Sequence, residues 1–187
     1  DLDTMRPSVL PNLIAAIARN QARGIENPAL FEVGPQYVDD TPEGQSTVAA
    51  GARAGQTGSR SWAVKAEPVD AFHAKADVMA ALSAVGAPVT NLQVSTDAPG
   101  WYHPGRSGCL RLGPNILAQF GELHPRIAEA MDVDGPISVF EIFIDNIPPR
   151  KSKGGAAKPL LTLSAFQPVR RDFAFIVDED VVAGDVL

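Results

Sequence analysis

The side chains best suited to chemistry cluster between Trp101 and Pro125, WYHPGRSGCLRLGPNILAQFGELHP. His103-Pro104 and His124-Pro125 bracket it, and Arg106, Ser107, Cys109 and Glu122 lie between them. Three chemistries are conceivable. Glu122 and His124 are two apart on a strand and share a face, so with His73 and His103 they would make a His/carboxylate metal set. Ser107 would be a nucleophile, but Gly-Arg-Ser-Gly is not a Gly-x-Ser-x-Gly elbow and precedes a strand rather than a helix. His103-Pro104-Gly105-Arg106-Ser107-Gly108 would be an anion-binding turn with Arg106 as the clamp. The plainer reading is favoured for each: His103, Gly105, Arg106 and His124 are turn residues, with Arg106 paired to a carboxylate and no helix N-terminus nearby to supply donors. Neither Gly-x-x-x-x-Gly-Lys-Ser/Thr nor Gly-x-Gly-x-x-Gly occurs, and there is no Cys-x-x-Cys or His-Glu-x-x-His. The residues alone assemble no catalytic set and no metal site.

The elements that hold these residues follow from periodicity. Leu110 and Leu112 alternate with polar neighbours before Gly113-Pro114-Asn115, and Ile116, Ala118 and Phe120 alternate after it, which predicts a β-hairpin. Pro114 is expected at the first central position of the turn and Asn115 at the second. Met5 to Gly24 reads as a helix with Ser8 as N-cap, Pro11 in the first turn and Gly24 as stop. Its stripe of Leu10, Leu13, Ile14 and Ile17 suits a core or a helical subunit interface. Leu30 to Val38 reads as a strand interrupted at Gly34-Pro35, hence bulged or at an edge. Ser46 to Ala54 is a weak strand, rich in Ala and Gly, and Trp62 to Lys65 a short one. Asp70 caps a second helix, on which Phe72, Val78, Met79 and Leu82 form a broad apolar face ending at Gly86. Leu92 to Ser95 is a short strand, Pro125 to Met131 one or two helical turns, and Ile137 to Ile144 the strongest strand, with Glu141 in its middle. The order α, β, β, α, β, β, β, β is not a βαβ alternation and predicts an antiparallel or mixed sheet with helices on one face.

The chain has 187 residues, 45% apolar and 20% charged, which is ordinary for a globular protein. It opens on Asp1, so a piece of a longer protein is expected. A single cysteine, Cys109, excludes an intramolecular disulfide and fits a reducing compartment. No apolar run approaches the roughly 18 residues of a membrane span. Net charge is −6 and uneven: residues 1–147 hold ten Lys/Arg against seventeen Asp/Glu, residues 148–187 six against five. The first part lacks the charge signature of nucleic-acid binding. Residues 148–159, PPRKSKGGAAKP, read as a basic linker. After them, Leu160 to Phe166 and Arg170 to Asp178 read as strands and Asp180 to Leu187 as the start of a helix, a second domain cut short.

Seven stretches, in order and over nearly the whole chain, carry a resemblance: MRPSVLPNLIAAIARNQARG, LFEVGPQYV, VDAFHAKADVMAALSAVG, YHPGRSG, FGELHP, FEIFIDNI and FQPVRRDFAFIVDEDVVAGDVL. They resemble the C-terminal portion of the bacterial phenylalanyl-tRNA synthetase beta subunit. The resemblance implies an α+β fold. Residues 1–147 would be a class II aminoacyl-tRNA synthetase-like antiparallel sheet flanked by helices. Residues 160–187 would open a ferredoxin-like anticodon-binding domain, truncated here. It implies a noncatalytic structural and assembly module of phenylalanine–tRNA ligase, a cytoplasmic heterotetramer of two alpha and two beta subunits. ATP and magnesium would serve the whole enzyme, and this segment would bind no cofactor of its own. Class II synthetases carry an Arg for the ATP α-phosphate on the strand after the first helix, where this chain has Glu32 beside Phe31. A carboxylate there would repel phosphate, and the glycine-rich third motif ending in Arg is absent.

The implied partners are the alpha subunit and tRNA(Phe). Leu10, Leu13, Ile14, Ile17, Phe72 and Met79 are the interface candidates, and Arg170 and Arg171 the RNA-contact candidates, against pairing of these arginines with Asp172. The alternatives are a stand-alone interaction module of the same fold, or an independent enzyme built around His103, Arg106, Glu122 and His124.

Overall fold

In the computed structural model the chain divides into two units, residues 1–151 and 152–187. The structure describes residues 4–58, 62–63, 65–149, 165–167 and 169–186. In the first unit, α1 (Leu10–Gln21) leads into β1 (Ala29–Tyr37) and β2 (Gln45–Ala54). Then come α2 (Ala71–Ala84), β3 (Gln93–Ser95), β4 (Tyr102–Leu112), β5 (Asn115–Leu123), α3 (Pro125–Ala130) and β6 (Ile137–Phe143). The six strands form one sheet in the order β1-β2-β6-β5-β4-β3, every neighbour antiparallel.

The two long helices lie on opposite faces, not on one. Along β2 and β6 successive side chains alternate between faces. Val48, Ala50, Ala52, Ala54, Ile137 and Val139 pack with the α1 stripe. Ala49, Phe140 and Ile142 pack with Ala74, Val78 and Leu82 of α2. The sheet is therefore the middle of three layers, and β6 contributes to both cores.

The Ala and Gly content that made β2 look weak is what lets it lie inside the sheet. Its alanines admit α1 closely on one face, and on the other Gly51 leaves room for the ring of Phe140. β1 lies at the sheet edge as Pro35 suggested, but without a bulge: its register with β2 runs unbroken from Ala29↔Arg53 to Tyr37↔Gln45. The hairpin turn has the expected two central residues but lies one position earlier in the chain than expected. Leu112 pairs with Asn115, so Gly113 and Pro114 are the two central residues, and Gly113 has φ +60°. A glycine at the first central position is what a type II′ turn requires. Of the expected strand at Trp62 to Lys65, Val64 lies outside the described residues and the described ones are not in a strand; the nearest described pairing is a single bridge between Gln56 and Pro68.

α1 starts later than expected. Its N-cap is Val9, with no side-chain cap, while Ser8 Oγ accepts the Leu10 N–H at 3.1 Å from outside the helix. Its end agrees with the sequence: Gly24 has φ +82°, and the Gly24 and Ile25 N–H groups donate to Gln21 and Asn20 carbonyls. That crossed pair is a Schellman closure. α2 is capped by Asp70, which accepts from the Phe72 and His73 N–H groups.

In the second unit, the expected strand over 160–166 falls largely outside the described residues, as does most of the 148–159 linker. Arg170 to Asp178 is described and forms no strand. Within it the Phe173 and Phe175 rings stack with centroids 6.3 Å apart. A short helix, α4 (Ala183–Val186), follows. A strand needs a partner to satisfy its backbone, and none of the described residues supplies one.

Candidate functional site

Each chemically suggestive residue of the hairpin is engaged in closing its own turn. His103 Nδ1 accepts the Gly105 N–H at 3.1 Å, and Ser107 Oγ donates to the His103 carbonyl at 2.6 Å. His124 is the N-cap of α3, its Nδ1 accepting the Arg126 N–H at 3.2 Å. His73 Nδ1 accepts the Asp70 N–H in the capping box of α2. Arg106 Nη1 donates to Glu122 Oε2 at 2.7 Å across the hairpin. The three histidines are thus held at three separate helix or turn ends. Among the described residues no group of three or more His, Cys, Asp or Glu is placed to hold a metal ion.

One expectation about this region is corrected. A helix N-terminus does adjoin it: Asp70 and Phe72 at the start of α2 share a groove with Gly105, Arg106 and Ser107. The Phe72 and His73 amides of α2 are already taken by Asp70, whose carboxylate also sits at that helix end and disfavours an anion.

The polar centre that sequence reasoning missed is Glu141. It is 2% exposed, at the middle of β6 on the α1 face. Ser8 Oγ donates to Oε1 at 2.6 Å and Tyr102 Oη to Oε2 at 3.2 Å. Burial pushes the Glu141 carboxyl above its ordinary value, against the pull of these donors. Burial also lifts the Tyr102 phenol well above its usual range, reinforced by the neighbouring Glu141 charge. The signal was a lone acid inside an Ile/Val/Phe run, which must either break the strand or find buried partners. Through Ser8 this carboxyl ties the entry of α1 to the central strand. It is sealed from solvent and holds no place for a substrate.

Of the interface candidates, Leu10, Leu13, Ile14 and Ile17 are buried between α1 and the sheet, so an intersubunit role for them is withdrawn. The stripe looked bivalent only because sequence shows one face without its partner. Met79 packs against the α2-side core, whereas Phe72 is 77% exposed. Glu32 is not a bare charge: it pairs with Arg6 Nη1 at 2.7 Å. Arg170 and Arg171 are exposed in the second unit.

The family model for the "Phenylalanyl tRNA synthetase beta chain CLM domain" matches residues 1–144. The chain belongs to this family. The beta-chain assignment is reinforced by curated relatives called phenylalanine–tRNA ligase beta subunit. That of Rhodospirillum rubrum is 54% identical over all 187 residues, and that of Paramagnetospirillum magneticum 52%. The chain spans 23% of the length of each. Among solved structures, the beta-chain module is similar to two of pyrrolysyl-tRNA synthetase from Desulfitobacterium hafniense. One has TM-score 0.56 and 15% identity over 75% of this chain and 47% of that one; the other has 0.54 and 18% over 76% and 49%. At that identity they bear on fold alone. The module is thus α+β, with a class II synthetase-like antiparallel sheet. No helix among the described residues is long and apolar enough to cross a membrane.

Proposed function

We propose that this chain is a noncatalytic assembly module of the phenylalanine–tRNA ligase beta subunit. It works in the cytoplasm in a heterotetramer of two alpha and two beta subunits. The alpha subunit joins phenylalanine to tRNA(Phe) with ATP and magnesium, and this module holds and orients it. The second unit opens a ferredoxin-like domain through which Arg170 and Arg171 reach the tRNA.

The observation that carries this reading is the closure of both sheet faces by the chain's own groups. α1 and the Glu141 network fill one face; α2 and the Phe140 ring over Gly51 fill much of the other. The histidines, Arg106 and Ser107 are consumed as caps and a cross-hairpin ion pair. Phe72 is the interface candidate left open to a partner.

The test is copurification of the full-length beta subunit with its cognate alpha subunit, with calorimetry of ATP and phenylalanine on the beta subunit alone. A stable complex at micromolar concentration and no saturable binding to the free beta subunit are expected. Absence of a complex, or nucleotide binding that is lost on substitution within residues 1–147, overturns the reading.

A further inference from the structure

In this sequence a single aspartate, and no asparagine, is followed by glycine: Asp134-Gly135. The pair lies in the loop between α3 and β6, and both residues are exposed. Among the described residues the Asp134 carboxylate has no hydrogen-bond or ion-pair partner, and the Gly135 N–H donates to no group. Gly135 has φ +74°, and nothing lies within 4 Å of where a Cβ would stand. With no side chain in the way, its amide nitrogen is free to approach the neighbouring carboxyl. One contact restrains that approach. Gln21, the last residue of α1, holds Asp134 by both backbone groups: Gln21 Nε2 donates to Asp134 O at 2.9 Å, and Gln21 Oε1 accepts the Asp134 N–H at 3.1 Å. Asp134 O and the Gly135 nitrogen belong to one planar peptide unit. Bringing that nitrogen onto the Asp134 side chain turns the plane, and turning it breaks the bond from Nε2.

We infer that Asp134-Gly135 is a site of spontaneous backbone modification, at which aspartate becomes isoaspartate, and that the Gln21 clamp sets its rate. The Gly135 nitrogen gives up its proton and bonds to Asp134 Cγ. One carboxyl oxygen leaves as water, which closes a succinimide ring. Water then adds back at one of the two ring carbonyls. Cleavage of the bond between nitrogen and Cγ restores aspartate. Cleavage of the bond between nitrogen and the main-chain carbonyl carbon gives isoaspartate. One water leaves and one returns, so no oxidant, cofactor or second protein is consumed. In the product the chain runs through Cβ and Cγ, and the former Asp134 carbonyl is a free carboxylate. The lengthened backbone is followed directly by Pro136, whose carbonyl accepts the Gly55 N–H at 3.0 Å, and by Ile137, which opens β6. The change therefore reaches the strand that both cores share.

Ageing the full-length beta subunit at physiological temperature and pH tests this. Samples are mapped by mass spectrometry after digestion with a protease that cuts before aspartate but not before isoaspartate. A peptide of the sequence around Asp134 that stays uncut at that residue is expected to accumulate with time. Gln21→Ala should raise its rate of formation about tenfold, the worth of two exposed hydrogen bonds. Asp132, two residues earlier and followed by Val133, is the internal control and should remain cleavable. Three results overturn the inference. The first is no isomer at Asp134 in the wild type or in Gln21→Ala while a synthetic peptide of residues 128–140 forms it under the same conditions. The second is equal conversion at Asp132 and Asp134, which removes the role of Gly135. The third is an unchanged rate in Gln21→Ala, which removes the clamp.

Discussion

The ring of Phe140 occupies the space a side chain on Gly51 would need. A Cβ at Gly51 would overlap both Cε1 and Cζ of that ring. The two residues face each other directly across β2 and β6. Gly51→Ala should therefore destabilise the module by about 1–3 kcal/mol, the range for overpacking a filled core. Phe140→Leu in the same chain should recover part of the loss. Chemical denaturation of the single and double variants checks this; equal losses with and without Phe140→Leu would detach the effect from the ring.

Glu141 makes stability depend on pH in an unusual direction for a carboxylate. Its folded value is raised above the ordinary 4.5, first by burial. The folded state then holds a proton that the unfolded chain releases, so stability is greatest below the unfolded value and falls as pH rises through the folded one. Glu141→Gln should flatten that decline above pH 4.5. Glu141→Ala should cost about 2–4 kcal/mol, because Ser8 and Tyr102 lose their acceptor. Denaturation midpoints of the three proteins across pH 4–8 measure both effects.

Arg53 holds α2 to β2 through a two-pronged contact with Asp77, Nε to Oδ2 at 2.5 Å and Nη2 to Oδ1 at 2.9 Å. Both side chains are about a third exposed, so screening limits the pair to about 1 kcal/mol. Arg53→Lys should fail to restore it, since an ammonium cannot match the fork. A double-mutant cycle at low and high salt should show a coupling that shrinks with salt.

Cys109 should resist thiol reagents in the native protein. It is buried, and burial, with Asp97 adding to it, pushes its thiol up to about 11. Little thiolate exists at pH 8. Alkylation followed by mass spectrometry should be slow in the native state and rapid in denaturant.

Arg170 and Arg171 should matter only where tRNA is read out. Reversing both charges in the full beta subunit should weaken tRNA(Phe) binding and steepen no other phenotype, with aminoacylation falling through the KM for tRNA. Unchanged affinity across a salt series would leave them as ordinary surface charges.

Much of the architecture was legible because it is written in local chemistry. Gly24, Gly86, Asp70 and the Gly113-Pro114 pair act within a few residues of themselves, so their elements emerged with nearly correct ends. The placement of α1 and α2 on opposite faces was not legible, since it depends on which side of β2 and β6 each strand residue presents. β2 misled because Ala and Gly are poor strand formers until a helix and an aromatic ring need the space. The hairpin residues drew attention by type, yet their roles were settled by partners such as Glu122 and the Gly105 amide. Glu141 went unassigned because its donors are 133 and 39 residues away along the chain.

The adjacency of Phe140 and Glu141 on β6 also acts as an error check on folding. A slip of one residue would turn the carboxyl into the apolar layer under α2 and drive the ring among Ser8, Tyr102 and Gln119. Both halves of that exchange are costly, so misregistered intermediates are penalised twice by neighbouring residues on the central strand. A chain without this pair would have the same hydrophobic content and a less certain alignment.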